Sequence, residues 1–459
     1  MNGGRKLIQR ALGIGLATCC SAFATNAIAA DLGGNCCADL EERIAELEAT
    51  TARKGNRKVS LTVTGWVSSQ LYWFDDGNEK NLYVVDNNND LSTNVKFTGS
   101  AQITAGTKVG YSLALYTNGP SSYNTNDATD NGGSGALSVE NSYWWIENDQ
   151  LGKVSVGHQG LAADNAPLLT DFTGTVFPAN IVSFDGGFLR LRPTGGAVGE
   201  AGYGAGLDGL WQNFFWCETA ALGFAGDCAG GRTNGVRYDT PTLAGFMGSV
   251  SWGEDDYWDV ALRYSGEFSG FKMAFGTSYS ESTDHNLFNI GGVPPTNDNQ
   301  FFQIGGTIKH LASGLWAHGI WSQTSIDAGP SHPVQFNDKQ DALYLKVGLS
   351  QKYFAIGQTH IYGEYGLNND NYSDTNLCAT FGGTGSAIGA AGCGGSTIVG
   401  SEATRFGIGI VQEIDAASMS FWAKWRRHEL DVDFAGAGGA GNQDFDSVDM
   451  LLAGAVIFY

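Results

Sequence analysis

The amino-acid sequence predicts an all-β fold, a 16-stranded antiparallel transmembrane β-barrel, from three observations. From residue 57 onward, apolar and polar residues alternate over stretches of about ten residues, the length of a tilted membrane-spanning strand. Sixteen such stretches follow one another, an even number. Except at the short connection 254–256, their connections alternate between short turns and mostly long Gly-, Asn- and Asp-rich loops, an asymmetry typical of outer-membrane barrels.

The predicted strands cover residues 58–74, 93–105, 107–117, 138–148, 151–159, 233–241, 243–253, 257–267, 271–281, 299–310, 314–325, 339–350, 354–366, 401–413, 418–431 and 446–459. Aromatic residues cluster at strand ends, as in the interfacial girdles of such barrels, and the last strand ends on Tyr459.

Composition excludes several other classes. With 12% aromatic and 16% charged residues, 66 Gly and 9 Pro, the 459-residue chain resembles neither a coiled-coil rod nor a disordered protein. Acidic residues outnumber basic ones by 47 to 26, for a net charge of −21, which argues against nucleic acid as a partner.

Residues 1–29 are predicted to be a secretory signal peptide. Arg5, Lys6 and Arg10 precede a weakly apolar stretch, and Ala27 and Ala29 are the small residues required for cleavage after Ala29. Lipidation at Cys19 is a less favoured alternative. No later stretch is long and apolar enough for an α-helical span, so the exported chain is periplasmic, secreted or an outer-membrane barrel.

Residues 30–56 are predicted to be a periplasmic segment that carries a short helix over 39–54, and residues 57–459 to form the barrel. Leu40, Ile44 and Leu47 recur at helical spacing, with acidic residues on the other face. Two interpretations stay open. The helix either lies on the barrel or forms a short oligomeric coiled coil.

The connection 160–232 is far longer than the others. Loops of this length are usually functional or disordered, and its many aromatic residues favour a folded loop. As the third outside loop, it is predicted to fold into the lumen and narrow it. Its acids would then face basic wall residues across a field that sorts solutes by charge. The candidate acids are Asp171, Asp185, Glu200 and Asp208, and the candidate bases are Arg237, Arg263, Lys309, Lys346, Arg405, Lys424 and Arg426.

Four cysteines are predicted to form two local disulfides, Cys217 with Cys228 and Cys378 with Cys393. Each pair lies within one loop of an exported chain. The adjacent Cys36 and Cys37 are poorly placed to pair with each other, which leaves intermolecular bonds open.

Signals for catalysis are poor. The sequence has neither a G-x-S-x-G elbow nor an H-E-x-x-H motif, and its seven His are scattered. We therefore expect no enzyme, no cofactor and no metal, with a hydrolase built from dispersed residues as a weak alternative.

Three segments carry a resemblance to a known family. Residues 39–67, the stretch Gly152-Lys-Val-Ser-Val-Gly, and the stretch Val236-Arg-Tyr-Asp-Thr-Pro-Thr-Leu-Ala-Gly-Phe resemble the alphaproteobacterial general porins of the rhizobial type. The resemblance implies a homotrimer of 16-stranded barrels in the outer membrane, with the third outside loop folded inward. Its expected partners are outer-membrane lipid and lipopolysaccharide, other copies of the chain, and small hydrophilic solutes and ions.

The leading hypothesis is a passive diffusion channel that selects solutes by size and charge, with a mild preference for cations because acids are in excess. One alternative is a substrate-specific channel in which Trp211, Phe214 and Trp216 form a binding surface. The other is an envelope-anchoring or adhesin barrel that depends on the N-terminal helix.

Overall fold

The computed structural model describes residues 58–87, 91–126, 135–182, 184–192, 194, 210–215, 232–254, 256–285, 297–328, 339–370, 396–436 and 441–459. The predicted signal peptide and the predicted helix over 39–54 lie outside these residues. So do the four cysteines of the predicted disulfides.

Eighteen strands make up one sheet within the described residues. They are β1 (Thr62–Asp75), β2 (Lys80–Val85), β3 (Asn94–Thr104), β4 (Thr107–Asn118), β5 (Ala136–Asn148), β6 (Gly152–Gly160), β7 (Arg232–Asp239), β8 (Phe246–Gly253), β9 (Trp258–Phe268), β10 (Phe271–His285), β11 (Asn297–His310), β12 (Leu315–Ala328), β13 (Lys339–Phe354), β14 (Gly357–Asn369), β15 (Ser396–Ile414), β16 (Met419–Gly436), β17 (Gly441–Asp444) and β18 (Val448–Phe458).

The sheet closes into an antiparallel barrel with sixteen positions around its wall. The last strand pairs with the first, with Phe458 opposite Trp66. Strands β2 and β3 share one position, since β2 pairs with residues 70–75 of β1 and β3 pairs with residues 62–66. Likewise, β17 and β18 share the position beside β16. The predicted count of sixteen is therefore confirmed for the wall.

The predicted strand ends agree closely with the observed ones, but two short strands were missed. Both lie in stretches that were assigned wholly to loops, 75–92 and 432–445, and that assignment is wrong for β2 and β17. Strand β2 has six residues and the polar β17 has four, so neither is long enough to show a run of apolar alternation. They form because they extend the ladders of the longer strands β1 and β16.

The two faces of the wall differ in polarity. On β1, Val67 is 49% exposed and points outward, whereas its neighbour Ser68 is 2% exposed and points inward. The same exposure of large apolar side chains recurs around the barrel. An outer face of this kind suits lipid rather than water. Among the described residues, no helix is both long and apolar enough to cross a membrane.

The buried core lies on the inner side of the wall. There, residues 161–182 and 184–192, which we call the wall segment, pack with inner-face side chains of the strands. A 3-10 helix, Leu168–Thr170, lies within the wall segment, and a short helix α1, Gln212–Phe215, follows later in the same connection.

Candidate functional site

A row of charged residues crosses the inner face of β13 to β16. Lys346 on β13 lies opposite Glu364 on β14, and Arg426 on β16 is aligned with Glu364 through Gly407 on β15. All three sit at inward positions of their strands, and their side chains are fully buried. Buried charges require partners, since an unpaired one is costly.

Lys346 has all three of its ammonium hydrogens accounted for by the wall segment. Its Nζ forms an ion pair with Asp171. It also donates to Thr175 Oγ1 at 2.8 Å and to the Ala179 carbonyl oxygen at 2.7 Å. Lys346 belongs to strand β13 of the barrel, and its three acceptors belong to the wall segment. This lysine therefore joins the wall segment to the barrel.

Asp185 provides a second junction. Its Oδ2 accepts from Lys424 Nζ at 2.5 Å and from Arg426 Nη1, both on β16. Its Oδ1 accepts from Ser122 Oγ at 2.6 Å, in the connection between β4 and β5. The carboxylate therefore holds two connections and the wall together, and the three paired side chains are 0% exposed.

Glu364 is the third carboxylate of this cluster. Arg426 binds it in bidentate fashion, Nε to Oε1 at 2.8 Å and Nη2 to Oε2 at 2.9 Å, and the Tyr344 hydroxyl donates to Oε2 at 2.7 Å. Arg405 donates to the Ile181 carbonyl oxygen at 3.2 Å, with its guanidinium 4.9 Å from the Tyr344 ring centroid. Three carboxylates and four cations thus come together beneath the wall segment.

The two wall-segment acids are charged at neutral pH. Burial by itself raises the pKa of Asp171, but the charge of Lys346 outweighs it and lowers that pKa below its ordinary value. Burial likewise raises the pKa of Asp185, and Lys424 and Arg426 reverse the direction. Both groups therefore act as permanent anions in their ion pairs.

The backbone at the start of the wall segment is held by hydrogen bonds to side chains of the strands. Arg263 Nη2 donates to the Ala162 carbonyl oxygen at 2.8 Å, and Arg237 Nη1 donates to that of Leu161 at 2.9 Å. The amide of Ala163 donates to Asp259 Oδ2 at 2.7 Å. These arginines therefore bind peptide carbonyls at the start of the wall segment.

Gly276 on β10 allows the wall segment to approach the backbone of this strand closely. A Cβ on Gly276 would lie 2.2 Å from the Ala166 carbonyl oxygen and 2.9 Å from the Pro167 Cα. Backbone atoms at that distance leave no space for any side chain. The wall segment is therefore in direct contact with the strand backbone here.

The surface that the wall segment leaves accessible is largely uncharged. Leu169 is 50% exposed and Phe172 is partly exposed, whereas Asp171 and Asp185 are buried. On the side of β3 to β6, by contrast, inward residues such as Lys96 and Trp145 keep partial exposure. Water and solutes therefore reach that side of the barrel interior.

Those predicted site residues that the structure describes separate into three groups. Asp171 and Asp185 lie with Lys346, Lys424 and Arg426, while Arg237, Arg263 and Arg405 bind backbone carbonyls. Lys309 lies apart, at the end of β11. Glu200 and Asp208 lie outside the described residues, as do Cys217, Cys228, Cys378 and Cys393.

Two charged residues of this network were missed. Glu364 occupies an inward position of a correctly predicted strand, so strand parity was a signal for it. Asp76 pairs with Arg192 at 2.9 Å, with both side chains buried, and joins the first outside connection to the wall segment. No sequence signal indicated that pair.

Among the described residues, no group of three or more His, Cys, Asp and Glu is arranged to hold a metal ion.

Comparison with known proteins identifies the family. A sequence profile described as Gram-negative porin matches residues 15–448, nearly the whole chain. The chain belongs to the Gram-negative porin family. A comparison with curated proteins finds no match.

The chain is also similar in fold to solved structures, and the first of these, with a TM-score above 0.5, supports the barrel fold. An anion-selective porin from Comamonas acidovorans is 14% identical, with a TM-score of 0.51, over 87% of this porin and 100% of that chain. A loop-deletion mutant of OmpT, an outer membrane protein of Vibrio cholerae, is 11% identical over 88% and 100%, with a TM-score of 0.48. The OmpF of Salmonella typhi is 11% identical over 88% and 98%, with a TM-score of 0.46.

The family and the closed barrel together define the general role. This porin is a multi-pass β-barrel of the outer membrane and forms a diffusion channel. Family and fold point to a channel rather than an enzyme.

Proposed function

We propose that the connection 160–232 is the inward-folded third outside loop of the porin and that it narrows a passive, water-filled channel. Small hydrophilic solutes and ions cross it by diffusion, selected by size and charge. The observation that carries the proposal is the pair of buried junctions, Asp171 with Lys346 and Asp185 with Lys424 and Arg426. A loop attached to the inner wall at mid-barrel reduces the open cross-section.

These junctions assign the buried charges a role that differs from the transverse field predicted from the sequence. A residue that filters permeant ions must be reached by water, and these side chains are 0% exposed. We infer that Asp171 and Asp185 fasten the loop, and that partly exposed wall residues set the charge preference.

The substrate-specific alternative receives no support from its proposed binding surface. Trp211 and Phe214 are 2% and 1% exposed and pack in one buried cluster with Tyr72 and Phe74. They are unavailable to a passing solute. Trp216 lies outside the described residues.

We further propose that the porin is a homotrimer of the rhizobial type, in contact with lipid and lipopolysaccharide. The support is the sequence resemblance and the apolar outer face where the first and last strands meet, with Leu71 and Leu451 about half exposed. Electrophoresis of unheated protein, compared with boiled protein, tests the oligomer.

The diffusion mechanism is tested by recording from unheated porin in planar bilayers. We expect discrete steps of constant size whose conductance rises in proportion to salt concentration. Conductance that saturates, or that one uncharged solute blocks saturably, would favour a specific channel instead.

A further inference from the structure

Two lysines face each other at the end of the barrel that carries the short turns, which is the periplasmic mouth in barrels of this kind. Lys272, the second residue of β10, lies directly opposite Lys309, the penultimate residue of β11, on the inner face. Side chains in direct cross-strand register have Cβ atoms about 5 Å apart, and like charges there are destabilising. The wall therefore carries an unfavourable pair at a place that solutes must pass.

Within the described residues, Glu267 acts electrostatically on Lys272 and Glu413 on Lys309, but neither acid forms an ion pair with the lysines. Neither ammonium lies within 4 Å of a carboxylate oxygen of the described chain. Glu267, opposite Lys272 on β9, is exposed and stays unpaired with it. Asp171, which precedes Phe172 in the loop, is already bound to Lys346.

An aromatic ring of the loop packs against one of the two lysines. The Lys272 ammonium lies 4.6 Å from the centroid of the Phe172 ring, which the loop provides from above. A ring face at this distance attracts the cation and holds it in place. Both lysines are half-buried, so each keeps hydrogens directed to water.

We propose that Lys272 and Lys309 form a transit site for a phosphate group, free or carried by a small solute. Two adjacent ammonium groups match the charge of a phosphate dianion and bind it through charge-assisted hydrogen bonds. The bound anion relieves the repulsion between the lysines. The site rests on the proposed diffusion channel, since it serves solutes that leave or enter through the mouth.

The test is the block of chloride-salt current by inorganic phosphate, added to each side of a planar bilayer in turn. The wild-type porin should show a saturable decrease, stronger from one side, and glycerol phosphate should act alike while glycerol does not. In the Lys272→Gln/Lys309→Gln variant, the half-blocking phosphate concentration should rise at least about tenfold.

Two control variants separate charge from structure. Lys272→Arg/Lys309→Arg should keep the block. Lys352→Gln removes an exposed lysine of the same periplasmic end, whose partner is Asp415, and should also keep it. The same variants in a salt gradient should shift the reversal potential toward cations only for the double Gln variant.

The outcomes distinguish the two proposals. Normal wild-type conductance without phosphate block, or equal block in the double Gln variant, would overturn the site and leave the channel intact. Absence of any conductance from folded porin would overturn the diffusion channel and, with it, the transit site.

Discussion

At the scale of single residues, the buried ion pairs of the loop are the main determinants of the site. Lys346 satisfies one carboxylate, one hydroxyl and one carbonyl of the loop at the same time. Burying an ion pair is weak evidence for stability, but removing one partner leaves the other uncompensated. The individual residues therefore fix where the loop lies more than they stabilise the barrel.

Replacing Lys346 should be strongly destabilising. Lys346→Ala leaves Asp171 buried without its cation, a change that typically costs about 3–5 kcal/mol. Unfolding by urea in detergent micelles measures the free energy. The matched control is Lys352→Ala, which breaks an exposed pair at 3.4 Å and should cost about 1 kcal/mol or less. Equal effects of the two variants would contradict a fastening role for Lys346.

The pH dependence follows from Asp171 and Asp185. Their pKa values are below the ordinary aspartate value of about 3.9 when the porin is folded. A lowered pKa contributes stability that is complete above the unfolded-state value and is lost as pH falls through the folded-state value. Conductance should therefore stay constant from pH 7 to 5 and change only below about pH 4. A change centred near pH 6 would assign the response to other groups.

At the scale of elements, the strands could be predicted because alternation and turn chemistry act locally. The first strand shows this: outward Val63, Val67 and Leu71 alternate with inward polar residues, and lipid on one side and water on the other select that pattern. Strand β2 has only six residues, so the alternation of its exposed Leu82 and Val84 is too short to indicate a membrane-spanning strand. Its hydrogen bonds come from β1.

Contact between β10 and the loop depends on one glycine. Gly276→Ala places a Cβ 2.2 Å from the Ala166 carbonyl oxygen, so the loop or the strand must shift. We expect a changed single-channel conductance and lower stability.

Gly248→Ala is the matched control on β8. There the nearest atom to an added Cβ is 3.6 Å away, an ordinary contact, so conductance should equal that of the wild type. A normal Gly276→Ala channel would show that the loop contact at Ala166 is unimportant.

At the scale of the whole molecule, sequence patterns were sufficient for the barrel but insufficient for the pairing of its charges. Inward parity placed Arg405, Lys424 and Arg426 on the inner face. Their partners depend on how a distant loop crosses the wall, as with Asp185, which is more than 230 residues away from Arg426 along the chain. The mild cation preference inferred from a net charge of −21 stays a prediction, because only charges beside the passage act on a permeant ion.

The most direct measurement is the single-channel conductance of Asp171→Asn/Asp185→Asn porin beside that of the wild type. The variant removes the charges of the two loop aspartates that pair with the wall and keeps the side-chain size. Asp415→Asn, at an exposed turn, is the control, since its side chain is 59% exposed. If the buried pairs hold the loop across the channel, the double variant conducts more, or fluctuates between levels, and the control does not. Identical conductance in all three proteins would contradict the account.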